Sequence, residues 1–230
     1  MPASGIAIVS PELRSRFLQG IPPEDLKVIL ASAMPRRYLR NSIVVNQDTP
    51  ADHLFLLTKG RARYFYTTEE GRKNLLFWLT PGDVFGGAAF LFTPSSYLVS
   101  TETVKDSSVL VWNRVTIRSL GARYPRLVEN ALLTASDYLV WYVAAHVALT
   151  SHTARQRLAR VLICLAETIG QKVQGGFEFD ATNEELASAA NITPFTASRL
   201  LRGWQKDCAV VKRRGKILLR SPERLLLHTA

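Results

Sequence analysis

The chain has 230 residues, 47% of them hydrophobic and 21% charged, which is enough to bury a core in one large or two small domains and excludes a disordered polymer. Its net charge of +10 is unevenly spread: residues 192–230 carry nine Lys and Arg against Asp207 and Glu223, a net +7, which points to a polyanionic partner. The two cysteines, Cys164 in "VLICLAETI" and Cys208 in "KDCAVV", exclude a disulfide framework or a clustered thiolate site, and both read as core residues.

The start "MPASGIAIVS" lacks the charged and long apolar stretches of an export signal, so a cytoplasmic protein is expected. Residues 11–34 read as short helices. From about residue 37 to 113, strand-like runs alternate with turn signals: "SIVV", "HLFLL", "RARYFY", "KNLLFWL", "YLVSTETV" and "SSVLVW". Short strands at this spacing predict an antiparallel roll or barrel able to enclose a small ligand. Arg61 and Arg63 read as solvent-facing strand residues.

From about residue 125 the period changes. Val128, Leu132, Ala135, Leu139, Tyr142, His146 and Leu149 follow the four-three spacing of a heptad seam, predicting a long helix shared between two copies of the chain. A membrane span is the competing reading of "ALLTASDYLVWYVAAHVALT", but Asp137 near its middle would cost about 2.5–3.5 kcal/mol. No membrane partner is therefore expected. His146 reads as a packed seam residue with a hydrogen-bond partner. A helix over residues 154–172 follows, and the Gly-Gly break at 175–176 opens the last module.

"FDATNEELASAANITPFTASRLLRGWQ" predicts two helices joined by a tight turn. Thr182 and Glu185 form a capping box at the first, whose buried face is Leu186, Ala189 and Ala190. Thr193 is the N-cap of the second and Pro194 its first residue, where a missing N–H costs nothing. Ala197, Leu200, Leu201 and Trp204 form its buried stripe. Phe195, Ser198, Arg199, Arg202 and Lys206 then face outward, the mix of aromatic, hydroxyl and cations that major-groove reading uses. Arg199 is the expected base reader, with Ser198 and Phe195 next. Thr193, Thr196, Arg202 and the cations of a following hairpin, Arg213, Arg214 and Lys216, are assigned to phosphate.

These features, in this order, resemble the cyclic-AMP receptor protein and fumarate-nitrate reductase regulator family of bacterial transcription factors. The residues that carry the likeness are Gly60, Gly71, "PGDVFGGAAF", the long helix and "ELASAANITPFTASRLLRGWQKDCAV". The resemblance implies an α+β chain: an N-terminal antiparallel β-roll of the cyclic-nucleotide-binding jelly-roll type (1–124), a dimerisation helix (125–151) and a C-terminal winged helix-turn-helix (152–230). It implies a homodimer on a palindromic operator in double-stranded DNA, and it brings in a small-molecule effector and RNA polymerase as further partners. Its effector cassette maps onto Gly86, Gly87, Ala88, Ala89, Tyr97 and Leu98.

The departures from the family pattern bear on the effector. Gly87 stands where nucleotide-binding members place a glutamate, Tyr97 and Leu98 stand where they place an arginine, and no Lys or Arg occurs from 74 to 104. A buried phosphate without a cation costs several kcal/mol. The cysteine cluster of the iron-sulfur members is absent, and His53, the single sensor histidine, reads as a strand residue rather than a haem ligand. No metal or other cofactor is expected. Two alternatives follow: a constitutively DNA-competent member whose cassette is filled by Phe90, Phe92 and Tyr97, and a cupin-like barrel enzyme. The enzyme reading lacks the two or three histidines its metal site needs.

Overall fold

The computed structural model describes residues 13–213 and 215–226. Its backbone divides into two compact units, the first ending at Leu139 and the second beginning at Val140. Arg214 and the chain start "MPASGIAIVS" lie outside the described residues.

The first unit opens with helix α1 (Pro23–Ala31), which begins on a proline pair as an N-terminus tolerates. Eight strands follow: β1 (Met34–Tyr38), β2 (Ile43–Val45), β3 (His53–Lys59), β4 (Ala62–Thr67), β5 (Lys73–Leu79), β6 (Val84–Phe85), β7 (Ser100–Thr103) and β8 (Ser107–Asn113). They build two antiparallel sheets, ordered β1-β8-β3-β6 and β2-β7-β4-β5. This is the expected roll. All six runs read as strands contain one, and His53 opens β3. The sequence reading lacked β1, the two-residue β6 and the helix α2 (Arg114–Arg123). "MPRRY" shows no apolar alternation, and β1 is an edge strand, where the missing N–H of Pro35 is tolerated.

Strand β3 is a continuous apolar run because both its faces are covered. Phe55 and Leu57 enter a core between the sheets with Leu79, Phe85, Val109 and Val111. Leu54 and Leu56 enter a second core with Phe17, Leu110, Trp112, Ile117 and Leu127. That alternation is the two-residue period of a strand. The Trp112 indole donates to Ile29 O at 2.9 Å, fixing α1 on the second core.

Helix α3 (Pro125–Ser151) is the one described helix long and apolar enough to cross a membrane. Its first half is engaged with the roll instead. Leu127 and Asn130 are buried, the Asn130 amide donates to Phe17 O and Gln19 O, each at 2.9 Å, and Asp137 pairs with Arg16 at 3.0 Å. The seven seam residues lie off that side and are exposed in the single chain, His146 included.

In the second unit, helix α4 (Ala154–Ile169) is closed by a reciprocal capping box of Thr153 and Gln156. It ends earlier than expected, because residues 171–173 form strand β9 (Gln171–Val173), paired with β10 (Gly176–Asp180). The Gly-Gly pair is thus a hairpin turn. A Cβ on Gly176, at φ 146°, would strike the carbonyl of Leu219. Helices α5 (Asn183–Ala189) and α6 (Pro194–Lys206), strands β11 (Val210–Arg213) and β12 (Lys216–Leu219), and α7 (Pro222–Leu226) complete the unit, with the sheet ordered β11-β12-β10-β9.

Both cysteines are exposed, against the expectation of core positions. Cys164 falls off the buried stripe of α4, which is Leu158, Leu162, Leu165 and Ala166. Cys208 follows the end of α6 with φ 55°, a turn position rather than a packed one.

Candidate nucleic-acid interface

The start of α6 is built as its residues dictate. The Thr193 Oγ1 accepts from the Thr196 backbone N–H at 3.1 Å, and the two hydroxyls lie 2.9 Å apart. Pro194 occupies the first helical position. Ala197, Leu201 and Trp204 are buried, while Leu200 is half-buried. On α5 the buried residues are Leu186 and Ala187, with Ala190 just beyond it.

With that stripe inside, Phe195, Arg199, Arg202 and Lys206 are exposed and Ser198 and Thr196 are half-exposed, on the opposite side of α6. Phe195 is 72% exposed, which leaves its ring available on the outer face of α6. The hairpin β11–β12 follows as a wing, with Arg213 opposite Lys216 in register and Gly215 at φ 73° in its turn. Two wing lysines are engaged within the unit: Lys216 Nζ pairs with Glu178 at 2.7 Å and Lys212 Nζ donates to Asn183 Oδ1 at 2.6 Å. Arg213 is exposed. Lys212 thereby ties the wing to the first residue of α5.

The turn between α5 and α6 contains a feature invisible in the sequence. Asn191 sits at φ 48°, in the left-handed region that asparagine tolerates better than most residues. Its carbonyl, and that of Ala190, accept from the guanidinium of Arg157 on α4, at 3.2 and 2.8 Å. The spacing between residues 157 and 190 gives no signal of that contact.

In the sensor unit the cassette residues do not converge. Gly86, at φ 81°, leads into a single 3-10 turn, Gly87–Phe90. Ala88 packs toward the inter-sheet core and Ala89 into the other core, while Gly87 and Leu98 are exposed. Tyr97 is buried between the sheets, its hydroxyl accepting from His53 N and donating to His53 O, each at 2.9 Å.

The fillers of the roll differ from those expected, apart from Tyr97. Phe90 packs edge-on against Phe17 in the second core, and Phe92 is 84% exposed beneath the Arg118 guanidinium. The inter-sheet core holds Phe55 stacked on Phe85 at 4.8 Å, and against it pack half-buried Tyr64 and Phe77, with Tyr138 of α3 set edge-on to them at 5.9 and 5.0 Å. Burial raises the pKa of both tyrosine hydroxyls, so they stay protonated.

Arg61 is buried where a solvent-facing residue was expected, whereas Arg63 keeps its outward direction. Arg61 is only 8% exposed and lies over the Trp78 ring, and Arg63 forms a 2.7 Å ion pair with buried Glu102. Both sit on the sheet face opposite Ala62 and Leu79, that is, outside the roll. A groove lined by Ile43, Gln47, Phe65, Lys73 and Ser100 opens on that same outer side. Among the described residues no group of three His, Cys, Asp or Glu is placed to hold a metal ion.

An antiparallel roll, a long helix and a winged helix-turn-helix with a cationic outer face define a DNA-binding protein with a cyclic-nucleotide-type sensor fold. Residues 35–124 match the cyclic nucleotide-binding domain and residues 156–227 the Crp-like helix-turn-helix domain. The chain is 26% identical over 220 residues to the CRP-like cAMP-activated global transcriptional regulator of Mycobacterium tuberculosis (strain CDC 1551 / Oshkosh), covering 92% of this chain and 95% of that protein. FixK2 from Bradyrhizobium japonicum matches with a TM-score of 0.74 at 21% identity, over 86% of this chain and 98% of its own. The c-di-GMP responsive global regulator CLP of Xanthomonas campestris matches with a TM-score of 0.76 at 19% identity, over 87% and 100%. The chain belongs to the cyclic-AMP receptor protein and fumarate-nitrate reductase regulator family of DNA-binding transcription regulators.

Proposed function

We propose that the chain is a cytoplasmic, homodimeric transcription regulator, paired through α3, that sets two copies of α6 in successive major grooves of a palindromic operator. Half-sites lie roughly 34 Å apart in such an arrangement. The observation that carries the reading is the outer face of α6, where Phe195, Arg199, Arg202 and Lys206 are exposed over a buried Ala197, Leu201 and Trp204. Arg199 pairs with a guanine edge; Ser198 and Phe195 make the lesser base contacts. Thr193, Thr196, Arg202 and the wing cations Arg213, Arg214 and Lys216 hold phosphates, Lys216 after giving up Glu178. RNA polymerase completes the proposed partners, and no catalytic role is assigned.

The M. tuberculosis relative is cAMP-activated and CLP is c-di-GMP responsive, by their names. The roll of this chain supports a different reading. Phe55, Phe85 and Tyr97 occupy its inter-sheet core, Tyr64, Phe77 and through them Tyr138 pack against it, and the two arginines nearest in sequence lie on its outer face. We therefore favour the ligand-independent version, in which side chains stand where an effector would. Cyclic AMP and cyclic di-GMP at millimolar concentration are expected to leave the melting temperature unchanged. A ligand at 100 times its Kd stabilises by about 2.7 kcal/mol, so a shift of several degrees in either titration would restore the effector-responsive version.

The DNA reading is tested by selecting duplexes from a random pool and titrating the winners at several salt concentrations. Arg199→Ala is expected to weaken the selected duplex by about 1–3 kcal/mol and to relax preference at one base pair per half-site. Arg213→Ala weakens selected and random duplexes alike and reduces the salt slope by about 1. Equal losses on both kinds of duplex for Arg199→Ala would remove its base-reading role.

A further inference from the structure

We infer that Arg157 is a positioning residue that holds the turn before the recognition helix against the C-terminal end of α3, and so sets the placement of two recognition helices on a two-half-site operator. The inference rests on the DNA reading above.

The side chain engages three carbonyls from two places in the chain. Nη1 donates to His152 O at 2.7 Å, Nε to Ala190 O at 2.8 Å and Nη2 to Asn191 O at 3.2 Å. His152 continues the hydrogen-bond ladder of α3, its N–H reaching Ala148 O at 3.1 Å. Ala190 caps α5, and Asn191 lies two residues before the N-cap of α6. One rigid, planar fork thus spans from the end of the long helix to the turn that precedes the recognition helix. A guanidinium fixes the directions of its donors, which a lysine ammonium does not.

The geometry makes placement sensitive to this contact. Arg199 lies six residues beyond Thr193, about 9 Å along the helix axis. Angular slack of about 10° at the turn displaces a group at that distance by roughly 1.5 Å, beyond the ~0.5 Å within which a designed contact must be held. One half-site accommodates such slack by rigid-body adjustment of one unit. Two half-sites at fixed spacing do not, because both recognition helices must meet their grooves together. The signature of a positioning role is therefore a loss confined to two-site DNA.

The experiment compares wild type, Arg157→Gln and Arg157→Lys on the selected palindrome and on the same duplex with one half-site scrambled, at one salt concentration, alongside thermal unfolding of each protein. Both variants are expected to lose at least tenfold in affinity for the palindrome while staying within twofold on the single half-site. Palindrome binding within twofold of wild type for Arg157→Gln overturns the inference. So does an equal loss on both duplexes, which marks a phosphate contact or local support of the fold, and so does full retention by Arg157→Lys, which reduces the role to charge. Arg157→Lys keeps the comparison decisive where Arg157→Gln does not fold. A wild-type protein with no preference for two half-sites over one sinks the dimeric reading and the inference together; that preference with an unaffected Arg157→Gln sinks the inference alone.

Discussion

Leu139→Asp is expected to convert the proposed dimer to monomers in sedimentation equilibrium and to abolish the preference for two-site DNA that the dimer would confer. Leu139 is 62% exposed in the single chain, and it sits midway along a line that runs from Val128 to Leu149. That line falls on a different side of α3 from Leu127 and Asn130, which the roll occupies. Pairing α3 across a two-fold axis sets Leu139 near its own copy. Aspartate removes an apolar side chain worth about 1.5–3 kcal/mol of burial from each subunit and adds two like charges to a dry seam. The combined loss, about 4 kcal/mol or more, corresponds to a thousandfold or greater weakening of the dimer. A Leu139→Asp protein that sediments at twice the chain mass at micromolar concentration would overturn the seam.

Trp204→Ala is expected to destabilise the second unit by about 3–5 kcal/mol, the range for a fully buried large aromatic. Trp204 is completely buried at the end of the α6 stripe, and the Arg155 guanidinium lies 5.1 Å above its ring. Its indole N–H has no hydrogen-bond partner among the described residues, so the contribution is packing and cation–π attraction. Against a total stability of about 5–15 kcal/mol for an ordinary domain, that loss is a fifth or more. Denaturant unfolding should show the early transition of the second unit, and DNA binding should weaken with it through depletion of the folded unit. A loss under 1 kcal/mol would show that the stripe collapses around the gap and that Trp204 is not its anchor.

Much of the DNA-binding unit was legible because its signals are local. Thr193, Pro194 and the spacing from Ala197 to Trp204 each act within one helix, so the helix start and its outward face follow from stereochemistry alone. The strands of the roll were legible for the same reason, except where pattern and partner separate. "MPRRY" has no alternation to read, and it became β1 through pairing with β8, some seventy residues on. "QKV" looked like the tail of α4 and became β9 through pairing with β10.

The packing of the roll was the least legible part. Phe90, Phe92, Tyr97, Arg61 and Arg63 were each assigned a surrounding from residue type; Tyr97 fell as expected and Arg63 lies on the outer face, while the other three differ from expectation. Side-chain type says that an aromatic prefers burial, but the roll has two cores and a rim to offer it. Phe90 joined the second core because Gly121 of α2 leaves space for its ring, with a Cβ position 3.1 Å away. Arg61 lies nearly buried over Trp78 on the outer face, a placement that depends on strand register and that composition does not carry.

By itself the sequence determined the periods: two residues for the strands, three to four for the helices, the caps that begin them and the cationic balance of the last forty residues. These are properties of neighbours along the chain, decided by backbone geometry, by the capping hydroxyls of threonine and by the φ preferences of proline and glycine. Only the tertiary structure decided which residues meet from afar: Tyr138 against Tyr64 and Phe77, Asn130 under Phe17, and Arg157 across to Ala190 and Asn191. A period specifies which face a residue joins. What that face touches depends on close packing of many elements at once, and no single stretch of chain encodes it.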